Sequence, residues 1–251
     1  MDAAGVAAVG VLGALVGSFL NVVIHRLPLG ESLVSPGSHC PICGAPVRPW
    51  QNVPIVSWLA LRGRCAACGT AISARYPLVE ALTAAVFAAV AAVRGLDADL
   101  ALELPFAAVL IAVAAIDLDH RIVPNRILAP AAVYGVAVAA ALDPGAVPEL
   151  AIAGAGAFAV LLAAALISPG GMGMGDVKLA GTMGLYLGLS VIPALFVAFL
   201  AGAVTGIALA VREGGGVRGK GVPFAPFLAL GGIVGLLAGP ELIDLYVDRL
   251  G

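Results

Sequence analysis

Long apolar runs are the feature that most constrains what this chain can fold into. Blocks of Ala, Val, Leu and Gly recur along its 251 residues, of which 61% are hydrophobic and only 11% charged. A soluble domain of this size would carry roughly 25% charged residues, and several blocks reach the ~20 residues that a helix needs to cross a bilayer. The chain is therefore predicted to be an all-α polytopic membrane protein that is embedded in the lipid bilayer.

The apolar runs predict about eight transmembrane helices. We place them at about 4–24, 78–94, 101–117, 127–142, 148–167, 178–190, 192–211 and 224–243. The block 178–211 is divided at "GLSVIP", because a single helix would be ~50 Å long and the hydrocarbon core is only ~30 Å thick. The first span is read as a retained helix, since it lacks a positively charged n-region and its apolar stretch is too long for a signal-peptide core.

The basic residues are distributed unevenly between the two sides of this arrangement. Eleven of the 13 Lys and Arg residues fall on the side that carries the hydrophilic segment 25–77, and the exceptions are Arg94 and Arg249. The positive-inside rule makes that side cytoplasmic and both termini external. The predicted organisation is a first transmembrane helix (1–24), a cytoplasmic loop (25–77) and a seven-helix membrane domain (78–251). Nucleic acid is not an expected partner, because the sequence has neither a basic patch nor an aromatic stacking platform.

All four cysteines lie in the hydrophilic segment, as two C-x-x-C pairs: Cys40 with Cys43, and Cys65 with Cys68. Four thiolates in this pattern suit a tetrahedral structural zinc site, and a reducing cytosol disfavours disulfides. Each pair is followed by a glycine, Gly44 or Gly69, that can adopt a left-handed conformation. The alternative is a redox-active C-x-x-C, and His39 is read as a surface residue because four cysteines already complete the site. The sequence favours a zinc-ribbon-like loop.

Two carboxylates are predicted at one depth of the membrane domain. Asp117 ends the third span and Asp176 begins the sixth, both at the cytoplasmic face. Two carboxylates in a low-dielectric setting can share a proton, so that one acts as an acid and the other as a base. The alternatives are that Asp176 caps its helix or pairs with Lys178, and that Asp117 and Asp119 are interfacial charges.

Several motifs of this chain resemble those of one known family. "GMGD" (173–176) followed by "VKL" resembles the G-x-G-D signature of intramembrane aspartic proteases of the type IV prepilin peptidase kind, and Asp117 stands seven residues ahead of the Pro124-Asn125 pair, as the first aspartate of that family does. "GSFLNVVIHRLP" (17–28), the C-x-x-C pairs, "SARYPLVE" (73–80) and "PFAPFLALGG" (223–232) are also similar to the bifunctional bacterial members. The similarity covers nearly the whole chain.

The resemblance implies a two-step enzyme. Such an enzyme cleaves the basic leader of type IV prepilins or type II secretion pseudopilins at the cytoplasmic face of the inner membrane, and then methylates the new N-terminus with S-adenosylmethionine. The cleavage role carries over to Asp117 and Asp176, with Gly173, Gly175 and Lys178 as supporting residues. Methylation is associated with the region that carries the cysteines.

Asp119 is the lesser candidate for catalysis, since on a continuing helix it would point ~200° away from Asp117. Glu80, just inside the second span, either binds the substrate amine or pairs with Arg75. Two other functional classes remain open: a transporter with a regulatory zinc ribbon, and a non-catalytic assembly factor of a secretion apparatus.

Overall fold

The computed structural model describes residues 2–167, 172–212 and 222–250, and within these ranges every regular element is helical. The prediction of an all-α chain is confirmed. The helices are α1 Ala3–Arg26, α2 Val56–Ala60, α3 Arg75–Arg94, α4 Leu100–His120, α5 Asn125–Leu142, α6 Val147–Ile167, α7 Met174–Leu187, α8 Val191–Arg212 and α9 Ala225–Leu250, with short 3-10 turns at Pro49–Asn52 and Gly188–Ser190.

Seven stretches in the described ranges are long and apolar enough to cross a membrane, and one of them, Met174–Arg212, contains two helices. The predicted break in this stretch is confirmed. It lies at Gly188–Ser190, where Gly188 adopts φ +54°, and not at Pro193. Pro193 falls in the first turn of α8, where a missing backbone N–H costs no helical hydrogen bond. Divided in this way, the seven stretches become eight apolar helices.

The chain forms two compact units, Met1–Leu96 and Asp97–Gly251. In the first unit, α1 and α3 pack antiparallel, with Gly5 beside Leu96 and Gly17 beside Glu80. A Cβ on Gly17 would lie 2.7 Å from the Glu80 Cα, so a glycine at this position permits the close approach of the two helix backbones. The chain between these helices, which includes α2 and the four cysteines, belongs to the same unit.

The second unit is an up-and-down arrangement of α4 to α9. The direction of α8 follows from its contacts with α9: Gly235 lies against both Leu187, at the end of α7, and Ala194, near the start of α8. Farther along α8, Gly202 lies against Phe224, just before α9 begins. The chain therefore reverses at 188–190, and α8 runs back toward the end of the unit at which α7 starts.

One end of this second unit carries the carboxylates of interest, and we call it the aspartate end. The C-terminal end of α4 meets the N-termini of α5, α7 and α9 there. Ala225 at the start of α9 contacts Asp117, and Lys178 in α7 contacts Asn125 at the start of α5. The alternation of helix directions thus brings Asp117 and Asp176 to one end of the unit. The functional division into 1–24, 25–77 and 78–251 stays a prediction.

Candidate active site and metal centre

Asp117 lies in the last turn of α4 and is buried, with 5% of its surface exposed. Its Oδ2 accepts a hydrogen bond of 3.1 Å from the backbone N–H of Ala225, the first residue of α9. Arg121, one helical turn further on, is close enough to act on the Asp117 carboxylate electrostatically. The first N–H groups of a helix have no partner within the helix, so this carboxylate satisfies one of them and is fixed in position by it.

Asp176 lies in the first turn of α7 and is also buried, with 8% of its surface exposed. Its Oδ2 accepts a hydrogen bond of 3.2 Å from the backbone N–H of Gly173, the residue before the helix. Asp176 therefore caps α7 from the third helical position, as the carboxylate of a capping box does. The expectation that Asp176 is the N-cap itself is wrong, because Gly173 occupies that position and Asp176 supports it from inside the helix.

The two buried carboxylates belong to helices that are distant in sequence, yet they lie at the same end of the unit. Their charges are close enough to interact. Two carboxyl groups in such a setting do not both ionise readily, because like charges repel more strongly in a low-dielectric environment. One of them can therefore hold a proton while the other accepts one, and this is the arrangement that general acid-base hydrolysis needs.

The three predicted supporting residues have different positions. Gly173 precedes α7 and donates to Asp176. Gly175 lies in the first turn of α7, where an added Cβ would be only 2.7 Å from the Cβ of Val123. Lys178 is exposed, and its Nζ donates to Asn125 Oδ1 at 3.1 Å. Within the described residues Lys178 thus joins α7 to the start of α5 and does not pair with Asp176.

The register of α4 separates the two candidate aspartates near its end. Asp117 is buried, whereas Asp119 is exposed on another face of the helix and takes part in interactions of its own. This difference agrees with the helical period used to rank them. The catalytic assignment itself is not tested by burial and stays a prediction.

Sequence reasoning missed three groups at the aspartate end. The Ala225 N–H is a backbone donor and has no signature in the sequence. Arg121 follows Asp117 by four residues but is the C-cap of α4 in a left-handed conformation, so helical spacing alone does not predict where its side chain lies. Asn125 was noted only as part of the Pro-Asn pair, and its contact with Lys178 spans 53 residues.

The four cysteines form one cluster in the first unit. All are free thiols, and their Sγ atoms all lie within 4.8 Å of one another, with Cys40 and Cys68 at 3.8 Å. Four sulfurs bound to zinc at ~2.3 Å in a tetrahedron would be ~3.8 Å apart. The cluster is therefore compact enough to hold a metal ion with little rearrangement, and the donor set is that of a structural site.

The two halves of the cluster are built in the same way. Cys40 N–H donates to Ala45 O and Gly44 N–H to Cys40 O, both at 2.9 Å. In the second half, Cys65 N–H donates to Thr70 O at 2.8 Å and Gly69 N–H to Cys65 O at 2.9 Å. The predicted left-handed glycines are confirmed, with φ +70° at Gly44 and +72° at Gly69.

The surroundings of Cys68 favour the thiolate, which is the form that binds metal. The Thr70 hydroxyl lies 3.2 Å from Cys68 Sγ. This hydroxyl, the Thr70 backbone N–H and the neighbouring Cys43 lower the pKa of Cys68 to about 6, whereas the hydrogen bond with Cys68 raises the pKa of Cys43 to about 11. The His39 ring is exposed and its Nδ1 lies 3.0 Å from Gly37 O; that it is not a ligand stays a prediction.

Glu80 is the third buried carboxylate of interest, and it lies in the second turn of α3. Its Oε2 accepts a hydrogen bond of 2.7 Å from the backbone N–H of Ile55, and the Ser18 hydroxyl on α1 is a second partner. Ile55 adopts φ +63°, a conformation that β-branched residues rarely take. Glu80 therefore attaches the loop to the membrane helices, a role that neither earlier interpretation included.

Fold and sites together define a polytopic membrane protein with a buried carboxylate pair at one end of its larger unit and a four-cysteine cluster in its smaller one. Two family models match the chain: the bacterial peptidase A24 N-terminal domain over residues 11–93, and the type IV leader peptidase family over residues 104–211. The two matches fall within the two compact units. No solved structure matches the chain.

Several characterised bacterial proteins are similar along nearly their whole length. A prepilin leader peptidase/N-methyltransferase of Pseudomonas aeruginosa is 35% identical over 96% of this chain and 92% of that protein. The protein of the same name from Bacillus subtilis is 36% identical over 94% of this chain and 96% of its own length, and that from Dichelobacter nodosus is 35% identical over 96% and 94%. This chain therefore belongs to the type IV leader peptidase family, as the sequence resemblance implied.

Proposed function

We propose that this protein cleaves the leader of type IV prepilins or type II secretion pseudopilins with Asp117 and Asp176, and then methylates the new N-terminus. The observation that carries the proposal is the pair of buried carboxylates at one end of the second unit, on two helices of a chain whose relatives are named prepilin leader peptidases/N-methyltransferases. A transporter and an assembly factor were the alternatives, and no observation favours either.

Peptide hydrolysis needs both members of the carboxylate pair. The ionised member takes a proton from water as the water attacks the scissile carbonyl, and the protonated member gives a proton to the leaving amine. Asp117 and Asp176 each accept one backbone N–H through Oδ2. Their orientations are thereby fixed before substrate binds, which is a requirement for positioning water and peptide at reacting distance.

The charge distribution supports a cytoplasmic active site. At the aspartate end of the second unit the described basic residues are Arg121, Arg126, Lys178 and Arg212, whereas the opposite end carries only Arg249. In the first unit Arg48, Arg62 and Arg64 lie in the loop with the cysteines and Arg75 starts α3 beside that loop, whereas Arg94 lies at the other end of α3. The positive-inside rule, applied to each unit by itself, supports a cytoplasmic location for both sites and an external location for both termini. The membrane is proposed to be the bacterial inner membrane.

A prepilin substrate suits a carboxylate pair at this depth. Its leader is basic and its mature N-terminus is an apolar helix, so the scissile bond lies where that helix emerges from the membrane. Water and the substrate backbone both have access to a site at the end of a helical bundle, whereas a site at the bilayer centre would have to admit them against a large desolvation cost.

Methylation is proposed to involve the first unit, with zinc as a structural ion. S-adenosylmethionine would supply the methyl group: the N–CH3 bond would form as the S–CH3 bond breaks, S-adenosylhomocysteine would leave, and the amine proton would pass to solvent. Cys40, Cys43, Cys65 and Cys68 would hold one Zn²⁺. A loop of this size has little core of its own, so metal binding would supply much of its folding free energy.

The test is mass spectrometry of the N-terminus of a prepilin co-expressed with this protein or with its variants. The wild type should yield a cleaved and methylated N-terminus. Asp117→Asn and Asp176→Asn should each abolish cleavage, because asparagine has nearly the shape of aspartate but cannot exchange the proton, and the double variant should be little worse than either.

Asp119→Asn is the matched control, since it removes a neighbouring carboxylate on an exposed face of the same helix. It should retain substantial cleavage. Normal cleavage by all three single variants would refute the protease assignment, and an inactive Asp119→Asn beside an active Asp117→Asn would refute the choice of residue.

A further inference from the structure

The loop of the first unit contains a row of exposed apolar side chains that the proposed function leaves unexplained. Trp50, Val53, Val56 and Leu59 recur at every third residue and are between 45% and 62% exposed. They lie in a segment, 49–60, made of a 3-10 turn (Pro49–Asn52), a bend and the short helix α2. Val56 and Leu59 lie one turn apart on α2, whereas Trp50 lies in the 3-10 turn and Val53 follows that turn in an extended conformation. We call these four exposed apolar side chains the apolar strip.

Other residues of the segment attach it to the rest of the unit. Trp58 donates its indole N–H to Ile72 O at 3.1 Å and its ring packs against Gly63. Within the segment, Ser57 Oγ donates to Val53 O at 2.7 Å and joins α2 to the residues before it. These contacts define the conformation of the segment while the four apolar side chains of the strip stay exposed.

The height of the strip relative to the membrane follows from the hydrogen bond between Ile55 and Glu80. Glu80 is five residues into α3, a candidate membrane span that starts at Arg75, and at 1.5 Å per residue it lies ~7.5 Å along that helix. The Ile55 N–H lies 2.7 Å from Glu80 Oε2. The backbone of the segment therefore lies beside the first two turns of a candidate spanning helix. The end of a spanning helix lies at the membrane interface, which is where interfacial amphipathic segments bind.

The charge of the loop points to the same partner. Between Glu31 and Glu80 the sequence has four arginines and no acidic residue; the arginines are Arg48, Arg62, Arg64 and Arg75. A Zn²⁺ bound by four thiolates would contribute two negative charges, so the loop would still be net positive. Arg48 and Arg62 flank the segment on either side, and tryptophan with arginine is the composition typical of contact with anionic lipid headgroups.

We propose that segment 49–60 lies in the membrane interface, with its apolar strip in the boundary between headgroups and acyl chains and its flanking arginines on anionic lipid. The cysteine cluster would then be held against the membrane surface by lipid as well as by Glu80. This inference rests on the spanning helices and not on the proposed enzymatic activity, so the two can fail separately.

The test uses the full-length protein in vesicles of phosphatidylcholine and phosphatidylglycerol. The chain has two tryptophans, so Trp58→Phe leaves Trp50 as the only reporter. Lipids brominated near the headgroup end of the acyl chain should quench Trp50 fluorescence by about twofold, since an interfacial indole contacts that part of the lipid. Lipids brominated near the chain terminus, and the aqueous quencher acrylamide, should both have smaller effects.

Variants of the strip test whether its apolar side chains hold Trp50 in contact with lipid. Val53→Ser with Val56→Ser should lower the quenching by brominated lipid and raise the quenching by acrylamide. Val34→Ser is the matched control, because Val34 is 90% exposed in the same loop but outside the strip, and it should leave both unchanged. If Trp58→Phe fails to fold, the difference between wild type and Trp50→Phe reports the same residue.

Two results would overturn the proposal. If acrylamide quenches Trp50 fluorescence and brominated lipid does not, the strip lies in water. Lipid quenching that disappears as the ratio of protein to lipid is raised would show that a second copy of the chain covers the strip.

Discussion

Replacing Gly175 by alanine is predicted to impair cleavage without unfolding the protein. The added Cβ would lie 2.7 Å from the Val123 Cβ and 3.2 Å from its Cγ2, whereas non-bonded carbons are normally ~3.5–4.0 Å apart. The start of α7 and the segment before α5 must therefore separate by about 1 Å. Asp176 is the next residue along the chain and would move with α7.

The magnitude follows from the geometry of the carboxylate pair. Asp117 is fixed by Ala225 on α9 and has no part in the contact between Gly175 and Val123, so a shift of α7 changes its separation from Asp176. Misplacing catalytic groups by about 1 Å can cost ~10²-fold in rate, which corresponds to ~2.7 kcal/mol in the activation free energy. Alanine is a better helix former than glycine by ~1 kcal/mol, so a loss of activity would not come from a weaker helix.

The assay is cleavage of a purified prepilin in detergent or nanodiscs, followed as kcat/KM for Gly175→Ala. Val123→Gly removes the atoms that the new Cβ would meet, so the double variant Gly175→Ala/Val123→Gly should recover most of the activity retained by Val123→Gly alone. Gly156→Ala on α6 is the matched control, because an added Cβ there meets nothing within 4 Å. Wild-type activity in Gly175→Ala would show that this contact does not position the aspartate.

Two further predictions concern the first unit. Purified protein should contain about one equivalent of zinc, which Cys40→Ser/Cys65→Ser should lose and His39→Ala should keep; unchanged zinc in the cysteine variant would exclude this site as the metal centre. A reporter fused at residue 60 should report the cytoplasm and one fused at residue 145 the outside, because the basic residues lie on the side of the cysteine loop; an external signal at residue 60 would overturn the orientation.

The helices could be predicted from the sequence because lipid leaves a chain few alternatives. Backbone groups inside the bilayer must bond within their own segment, so each long apolar run becomes a helix whatever its neighbours are. The same helical period distinguished Asp117 from Asp119, since side chains two positions apart on a helix point ~200° away from each other. Each C-x-x-C turn with its glycine also follows from local spacing, whereas the meeting of the two turns was predicted from the metal site that four cysteines can form.

The sequence could not predict contacts in which a backbone N–H bonds to a side chain far away in the chain. The hydrogen bond from Ala225 to Asp117 spans 108 residues and depends on an N–H that every residue except proline has. The hydrogen bond from the Ile55 N–H to Glu80 spans 25 residues and likewise has no signature in the sequence, whereas a pairing of Glu80 with Arg75 could be considered because both charges are visible there. The helical parts of segment 49–60 were not predicted, because Pro49 and Pro54 interrupt a stretch that is too short to be identified as helical from its pattern.

The positions of the two aspartates follow from an unusual use of helix ends. A helix N-terminus has N–H groups without partners inside the helix. In this protein Asp176 accepts from the Gly173 N–H before α7, and Asp117 accepts from the Ala225 N–H at the start of α9. Each aspartate therefore contributes to the folding of a helix start as well as to the site. An asparagine side chain keeps an acceptor oxygen for the same N–H, so Asp117→Asn and Asp176→Asn should preserve both helix starts, whereas alanine would disturb them. Loss of cleavage in the asparagine variants with an unchanged thermal midpoint would assign the effect to proton transfer, and an equal fall in stability for asparagine and alanine would assign it to the helix ends.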